Sequence, residues 1–413
     1  MPSILRPDAL TVVQTVVSLD RVASGLSAAV SNLADALEEA GSAVTVVFTN
    51  AGNASHSALP LRACAVPVRS FRVGGRIIWA KKFSAAIRRA CQGANRKLIH
   101  DNGLWSITGL IAARCAAFEG MPLVISPHGM LEPWALEYRR WRKKLAWVLG
   151  QRAILRRAAM FIVNSEKEAH SVRRAGLRQP IAVVPLGVSM PVRQAVHAEA
   201  ASIRQILFLS RVHPSKGLLL LIEAWSRLRP SGWKVIIAGP DEIGHRAQLE
   251  RVIAQRNLTA EFEFVGEVSG ESKERVFRLA DVFVLPSYTE NFGLVIAEAM
   301  SYGLPVLTTK GTPWSVLESI GAGWWVEPNI DGIEVGLRSA LATSREMRVA
   351  MGRAGRRFAE NHLTWRSAAI KAIEAYDWLF SDRQRRPAHL QLFEEDSQRP
   401  KQVVAGVAEE RAL

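Results

Sequence analysis

Residues 280–309 constrain the fold of this chain more than any other stretch. Residues 281–285 are mostly apolar and end at Pro286, which cannot donate a hydrogen bond to a neighbouring strand, so they predict a short buried parallel strand. Residues 294–300 have helical composition with apolar residues spaced for one buried face, and Gly303 marks the end of this helix. The stretch therefore predicts a βαβ unit, and ligands of such units bind beyond the carboxyl ends of the strands.

Two glutamates mark that position. Glu290 lies in the predicted loop before the helix, and Glu298 lies eight residues later in the chain. A purely structural explanation exists for such a pair, in which Glu290 favours the positive helix N-terminus and Glu298 faces solvent. Here, however, Glu298 has apolar neighbours on both sides, where a carboxylate needs a polar partner. A ligand rich in hydroxyl groups would supply one.

The order of residues in this stretch resembles the signature of a known enzyme class. Residues 290–306 read ENFGLVIAEAMSYGLPV, which is similar to the E-x7-E motif of the retaining nucleotide-sugar glycosyltransferases of group 1, also called family four. The resemblance implies the GT-B fold. This is an α/β architecture of two facing Rossmann-like domains, each with a doubly wound parallel sheet, and a cleft between them.

The resemblance also assigns roles to residues of the motif. Glu290 would hold hydroxyl groups of the donor sugar, and Glu298 would hold those of the ribose. The backbone between them would line the sugar and the phosphates through Asn291, Phe292, Gly293 and Leu294. Asn291 departs from the family pattern, which frequently has Gly there, so the details of the donor pocket stay open.

A candidate anion site follows a second predicted strand, residues 205–210. Arg211 and Lys216 flank the loop between this strand and an apolar helix, so that two cations and a helix N-terminus can converge on one anion. Surface cations are usually only solvated, but R-x4-K in this position resembles the diphosphate clamp of the family. Together with Glu290, these two residues are the predicted catalytic groups that act on the donor. The scheme requires neither a metal ion nor a cofactor, and the sequence has no Asp-x-Asp metal motif.

Further candidates lie at strand ends in the first half of the chain. Gly25, between a predicted strand and helix, matches one glycine of the pair that contacts the donor diphosphate in the family, whose first glycine is Ser24 here. His128 precedes Gly129, a His-Gly placement that in the family reaches the transferred sugar, and we count it among the catalytic candidates. A third cluster would form either a capped turn or part of an acceptor pocket, and its members are His100, Asp101 and Trp105.

The charge of the chain is strongly basic. It has 53 Lys and Arg against 38 Asp and Glu, which gives a net charge of +15 and a pI near 10.3. Such a charge permits nucleic acid, an anionic membrane surface or anionic small substrates as partners. No zinc-finger spacing, aromatic RNA-binding signature or helix-turn-helix pattern supports nucleic acid, so we predict none.

Residues 138–157 carry eight of these cations, interspersed with Trp, Leu, Val and Ile. As a helix, this segment would be basic and amphipathic, the kind that lies on anionic lipid headgroups. The alternative is a helix that packs its apolar face on the domain core and leaves the basic face in solvent. Both interpretations remain open at this point. A lipid-linked acceptor would favour the first.

The length of 413 residues is sufficient for two domains. We predict an acceptor-side N-terminal domain over residues 1–190, a linker over 191–202 and a donor-binding domain over 203–361. A final helix over residues 362–380 would cross back to the first domain, and a disordered tail would occupy 381–413. The three cysteines, which form no metal-binding or disulfide pattern, are predicted core thiols: Cys64, Cys91 and Cys115.

The sequence thus predicts a retaining, metal-independent hexosyltransferase. It would move a hexose-type sugar from a nucleotide sugar to a lipid-linked or oligosaccharide acceptor, because the stretches around His100 and His128 resemble a bacterial surface-polysaccharide branch of the family. No run approaches the ~20 apolar residues of a membrane span, so we expect a cytoplasmic protein that can be peripheral on the inner membrane face.

Three alternatives stay open. Two are other GT-B enzymes, a glycogen synthase-like polymerase and a sugar-nucleotide epimerase. The third is a catalytically silent scaffold that binds sugars, which would have lost residues such as Lys216 and Glu298. The mechanism is also open between front-face departure of the diphosphate and double displacement with Glu290 as the nucleophile.

Overall fold

The structure of the protein, a computed structural model, describes residues 9–19, 25–50, 62–67, 73–137, 140–192, 203–383 and 385–393. Strands and helices alternate over most of this length and form two α/β units, one with an eight-stranded sheet and one with a six-stranded sheet. The prediction of two α/β domains with parallel sheets is confirmed.

The first sheet uses seven strands from the N-terminal half of the chain: β1 (Thr11–Val16), β2 (Ala43–Asn50), β3 (Ala63–Pro67), β4 (Lys97–Asn102), β5 (Leu123–Ser126), β6 (Met160–Val163) and β7 (Ile181–Val183). The helices of this unit are α1 (Gly25–Glu39), α2 (Val73–Ala90), α3 (Ile107–Phe118), α4 (Pro133–Glu137), α5 (Arg140–Ala146), α6 (Arg152–Arg157) and α7 (Glu166–Arg174). These seven strands are parallel, in the order β7-β6-β5-β4-β1-β2-β3.

The second sheet contains β8 (Arg204–Leu209), β9 (Trp233–Ala238), β10 (Phe262–Gly266), β11 (Val282–Leu285), β12 (Val306–Thr309) and β13 (Gly323–Val326). Its order is β10-β9-β8-β11-β12-β13. A short 3-10 helix, Pro214–Lys216, precedes the helices α8 (Leu218–Leu228), α9 (His245–Gln255), α10 (Gly270–Leu279), α11 (Leu294–Ser301), α12 (Val316–Ser319), α13 (Ile330–Ala342) and α14 (Arg345–His362). Two elements follow, α15 (Trp365–Phe380) and β14 (Leu390–Gln391).

Helices cover both faces of each sheet, which explains why strands such as β6 and β11 are apolar without alternation. All four residues of β11 are buried. In β1, Val12 and Val13 belong to two different hydrophobic cores, because successive side chains of a strand point to opposite faces. The second domain has one continuous core that surrounds Trp225 and Phe283. The carboxyl ends of the central strands are therefore positioned by well-packed sheets.

The last long helix, α15, returns to the first domain and packs against α1. It begins at Trp365 rather than at the predicted residue 362, because the Thr364 hydroxyl caps it by accepting a hydrogen bond from the Ser367 N–H at 3.1 Å. Gly187 permits the close crossing, since a Cβ atom there would lie 2.4 Å from the backbone nitrogen of Trp365. The C-terminal helix thus completes the N-terminal core.

The structure corrects three details of the predicted organisation. The stretch 49–75, which has no clear pattern in the sequence, contains the strand β3 and the start of α2. The segment predicted as one basic helix is interrupted by a π-helical turn, Trp147–Gln151, in which Gly150 has a φ of 156°. In the predicted tail, β14 pairs antiparallel with β7, so that part of the chain is ordered by a sheet edge.

Residues 193–202 of the predicted linker and 394–413 of the predicted tail lie outside the described residues. Among the helices that the structure describes, none combines the length and apolar character needed to cross a membrane.

Candidate active site

The loop that carries Glu290 connects β11 to α11. Gly293 precedes the helix with a φ of 77°, a left-handed conformation that favours glycine, and no side chain caps the helix. Trp314 fixes the loop from one side, because its indole Nε1 donates to the backbone oxygen of Phe292 at 2.5 Å. The predicted helix start near residues 292 and 293 is confirmed. The N-terminal N–H groups of α11 are left without a side-chain acceptor, an arrangement that suits an anion.

Lys216 and Glu290 come together at the carboxyl ends of β8 and β11. The Lys216 Nζ lies 2.5 Å from Glu290 Oε1, and the Ser287 hydroxyl donates to the same oxygen at 2.8 Å. Both charged side chains are at most 13% exposed, so their attraction is weakly screened. Gly217 makes this approach possible, since a Cβ there would lie 2.0 Å from the Pro286 carbonyl oxygen. Residues 74 positions apart thus form one charged pair.

The other predicted donor residues lie at the edge of the same domain. Arg211 is half exposed and pairs with Glu242 at 3.3 Å, an arrangement that costs little to exchange for a ligand phosphate. Glu298 projects from α11 and pairs with Lys273 of α10 at 2.7 Å. The apolar context of Glu298 had indicated a missing polar partner, and Lys273 provides it. The predicted contact of Glu298 with ribose stays a prediction.

The first turn of α7 joins the two domains. The Lys167 ammonium donates to three oxygens of the second domain, namely Thr289 Oγ1 at 3.0 Å, the Glu290 backbone oxygen at 3.0 Å and the Gly311 backbone oxygen at 2.7 Å. Ser165 adds a fourth contact, because its hydroxyl donates to the Asn291 backbone oxygen at 3.0 Å. The loop that carries Glu290 is therefore held by the opposite domain.

Glu168 completes this interdomain contact from a buried position. Its carboxylate accepts from the Gly129 N–H at 2.6 Å, the Asn164 N–H at 2.8 Å and the Asn291 side-chain amide at 3.2 Å. Burial raises the pKa of Glu168 to about 7, although these three donors favour the charged form. Sequence reasoning missed Lys167 and Glu168 as site residues. The signal was the Ser165-x-x-Glu168 spacing, which is typical of a helix N-terminus and gives no indication of an interdomain role.

His128 lies beside this contact with a φ of 49°. Its Nε2 is 3.0 Å from Asn102 Oδ1, and its Nδ1 is 3.3 Å from the Asn164 side-chain amide, which fits a neutral ring that donates from Nε2. Burial lowers the pKa of His128 to about 4. Because both ring nitrogens already have partners, this imidazole is held as a fixed neutral group and is not poised to take a proton.

Two family models together match most of the chain. The description "Glycosyl transferase 4-like domain" covers residues 24–187, and "Glycosyl transferases group 1" covers residues 193–358. The protein is a group 1 glycosyltransferase. The boundary between the two matches coincides with the junction of the two sheets.

One curated relative of this glycosyltransferase agrees with that assignment, and two solved structures show the same fold. A D-inositol 3-phosphate glycosyltransferase of Streptomyces scabiei is 27% identical over 312 residues, which cover 70% of this chain and 69% of the relative. The solved structure of Anabaena HepE in complex with UDP and glucose is 17% identical, covers 89% of this chain and 99% of that chain, and gives a TM-score of 0.71. The solved structure of WaaG, described as a glycosyltransferase involved in lipopolysaccharide biosynthesis, is 17% identical and gives a TM-score of 0.63. The match covers 88% of this chain and 99% of that chain. The predicted GT-B fold is confirmed.

Two residues of the predicted acceptor cluster of this glycosyltransferase are buried in the structure. His100 is fully buried, between the Ser126 hydroxyl at 2.8 Å and the Tyr376 hydroxyl at 2.7 Å. Asp101 is also buried, and its Oδ1 accepts from the Thr15 hydroxyl at 2.6 Å while burial raises its pKa to about 7. Both side chains are therefore covered in this structure, by residues of α15 and β1, and their predicted acceptor role stays a prediction.

Trp105 and Gly25 are more accessible. Trp105 is half-buried with a φ of 63°, and its ring centroid lies 6.2 Å from that of Trp147. Gly25 is the exposed first residue of α1, with no atom within 4 Å of a Cβ built on it, while residues 20–24 before it lie outside the described part of the chain. Their predicted binding roles stay predictions. No cluster of three or more His, Cys, Asp or Glu that could hold a metal ion occurs among the described residues.

Proposed function

We propose that this glycosyltransferase moves a hexose-type sugar, with retention of anomeric configuration and without a metal ion, from a nucleotide sugar to a lipid-linked or oligosaccharide acceptor in the synthesis of a bacterial exopolysaccharide or lipopolysaccharide. The observation that carries the proposal is the buried pair of Lys216 and Glu290 beside the uncapped N-terminus of α11. A fixed cation and free N–H groups suit a diphosphate, and a carboxylate suits sugar hydroxyls.

The chemistry follows from where charge develops during transfer. Cleavage of the bond between the sugar and the diphosphate leaves a negative leaving group, which Lys216, Arg211 and the α11 N-terminus would stabilise. In front-face departure, the leaving phosphate oxygen takes the proton of the acceptor hydroxyl, so no protein base is needed. This fits His128, whose ring nitrogens both have partners. Glu290, whose Oε1 is held by Lys216 and Ser287, would orient the sugar through its hydroxyl groups.

A lipid-linked acceptor would place the enzyme at a membrane surface. The α5 to α6 segment supports this part of the proposal, because four of its apolar side chains are more than half exposed: Trp141 at 66%, Leu145 at 53%, Val148 at 82% and Leu149 at 75%. Basic residues flank them, including Arg140, Lys144 and Arg152. Exposed apolar residues among cations suit the headgroup region of anionic lipids.

The donor is tested by thermal denaturation with UDP, GDP and ADP, each alone and as sugar conjugates, in the presence of EDTA. We expect one nucleotide to stabilise the protein by about 2.7 kcal/mol at a concentration one hundred times its dissociation constant. Lys216→Ala and Glu298→Ala should lose this stabilisation, and Lys234→Ala, which removes a surface pair with Glu263, should keep it. If none of the nucleotides stabilises the protein, the proposal is contradicted.

The acceptor and the stereochemistry need separate measurements. Proton NMR of the product formed from an α-linked donor should show an α linkage, and a β linkage would exclude retention. The protein should sediment together with phosphatidylglycerol vesicles at low salt and should stay in the supernatant at high salt. If the double variant Val148→Ser and Leu149→Ser binds these vesicles as the wild type does, the membrane part of the proposal fails.

A further inference from the structure

A cavity of about 2250 Å³ lies between the two domains, and Phe292 is the one predicted donor residue among those that line it. The cavity is not lined by Lys216, Glu290 or Glu298. Its walls come from α4, α7, the segment 310–316 and the C-terminal segment 386–393. The interdomain contact made by Lys167 forms part of the wall, together with Thr289. The loop that carries Glu290 therefore has one side toward the donor residues and another toward this cavity.

The charged groups of the cavity are predominantly cationic. Five Lys or Arg residues line it against two glutamates. Lys310 is paired with Glu327 at 2.6 Å, whereas Arg386 is exposed and makes no hydrogen bond or ion pair with the part of the chain that the structure describes. The cavity is thus suited to an anionic occupant.

Aromatic rings line the same space. Trp134 is 49% exposed, Tyr288 is 48% exposed and Phe393 is 40% exposed, and each comes from a different part of the fold. Trp325 is half-buried on the wall, with the Lys310 ammonium 5.8 Å from its ring centroid. Rings of this kind pack against the apolar C–H face of a pyranose, while neighbouring cations pair with its acidic substituents.

We propose that this cavity binds an anionic oligosaccharide, a chain of sugars that carries carboxylate or phosphate groups, at a site distinct from the donor site. The volume exceeds that of a single-ligand pocket, which is about 300–1,000 Å³, and suits several sugar rings. The identity of the ligand as a glycan rests on the proposed function. The occupant would contact the interdomain wall at Lys167 and Thr289, and so would bias the position of the loop that carries Glu290.

The test uses the full chain and isothermal titration with tetragalacturonate, with neutral maltotetraose of equal length as the matched ligand. We expect tetragalacturonate to bind at least about tenfold more tightly, and increasing salt to weaken it, because the difference is the charge. Trp134→Ala and Arg386→Gln should each weaken binding about fivefold or more. The controls are Trp141→Ala and Arg353→Gln, exposed residues outside the cavity, which should bind as the wild type does.

Several results would overturn the proposal. These are no binding of tetragalacturonate, equal binding of the two oligosaccharides, binding that both cavity variants leave unchanged, or displacement of tetragalacturonate by the donor nucleotide. If the wild type binds phosphatidylglycerol vesicles and the Trp134→Ala and Arg386→Gln variants do not, the cavity binds a lipid headgroup and the glycan proposal is rejected. Thermal shift with nucleotides on the same samples separates the two hypotheses. If a nucleotide stabilises the protein but tetragalacturonate does not bind, only the cavity proposal is rejected. If tetragalacturonate binds but no nucleotide stabilises the protein, only the donor assignment is rejected.

Discussion

The Nζ atom of Lys167 lies 3.0 Å from the backbone oxygen of Glu290, although the two residues belong to different domains. The same ammonium donates to Gly311 at 2.7 Å, and burial lowers its pKa. A hydrogen bond from a charged donor in a partly buried site is stronger than a neutral one. The orientation of the loop that carries Glu290 is therefore coupled to the distance between the domains.

Lys167→Met should uncouple the loop from the first domain. The change removes the Lys167 donor from the backbone oxygen of Glu290, and it leaves the Gly311 oxygen with the Glu290 N–H at 3.1 Å as its remaining donor. Loss of a donor at a partly buried oxygen costs about 1–3 kcal/mol. We expect kcat to fall by about one to two powers of ten while KM for the donor stays nearly constant. Steady-state kinetics and thermal shift with the donor nucleotide measure the two effects.

A purely structural role for Lys167 makes a different prediction. In that case the melting temperature would fall, but kcat per folded molecule would not. The matched control is Lys81→Met, an exposed lysine on α2, which should leave both kinetic parameters unchanged.

Lys216→Met should reduce activity more strongly than Lys167→Met. It removes a fixed cation from the region of the developing diphosphate charge, which typically costs about 3–4 kcal/mol of barrier, or two to three powers of ten in kcat. It also leaves the Glu290 carboxylate buried without its cation, so a modest loss of thermal stability is expected too. The double variant Lys216→Met with Glu290→Gln should recover part of the stability and none of the activity. Recovery of activity in the double variant would contradict the assigned roles.

Gly129 and Asn291 should form a steric pair across the domain boundary. A Cβ at Gly129 would lie 2.9 Å from the Asn291 Cβ, and Gly129 has a φ of 78°. Gly129→Ala should therefore be destabilising for two reasons, the contact and the left-handed backbone, the latter being about 1–2 kcal/mol. Asn291→Gly in the same chain should relieve the contact and leave the backbone cost. Denaturant unfolding of both single variants and the double variant gives the coupling energy, which would be near zero if the domains were apart in solution.

The stability of the N-terminal core should depend on His100 below neutral pH. Burial, with a smaller effect of His128, lowers the pKa of His100 to about 3 in the folded state, against 6.5 as its ordinary value. The stability that the neutral His100 side chain contributes is fully present above pH 6.5 and is lost as the pH falls toward 3. The reason is that the unfolded chain binds a proton in this range and the folded chain excludes it. The loss is at most about 1.4 kcal/mol per pH unit.

The measurement compares wild type with His100→Phe by urea unfolding at pH 7.5 and pH 5.0. The difference in unfolding free energy between the two proteins should shrink by about 2 kcal/mol at the lower pH. Buried carboxyl groups such as Glu168 titrate in both proteins and cancel in the comparison. A constant difference for His100→Phe would contradict the burial effect on its pKa.

The limits of sequence reasoning are clear at His100 and Asp101. They follow a strand and precede a glycine-containing loop, which predicts a position at the mouth of the cleft. In the structure both residues lie within β4. Thr15 contacts Asp101, and Tyr376, which is 276 residues away in the chain, contacts His100. The sequence does not indicate which strand residue is covered by a helix that returns from the far end of the chain.

The sequence by itself determined the features that depend on local order. The apolar run before Pro286, the glycine at 293 and the spacing of Glu290 and Glu298 specify a strand, a tight turn and a helix, because backbone conformation and side-chain periodicity are set within a few residues. Only the tertiary structure decided which distant groups meet. Lys216 with Glu290, Lys167 with Gly311, and Glu168 with Asn291 are each separated by more than 70 residues. Their contacts arise from how the two sheets pack and face each other, and no local pattern encodes that geometry.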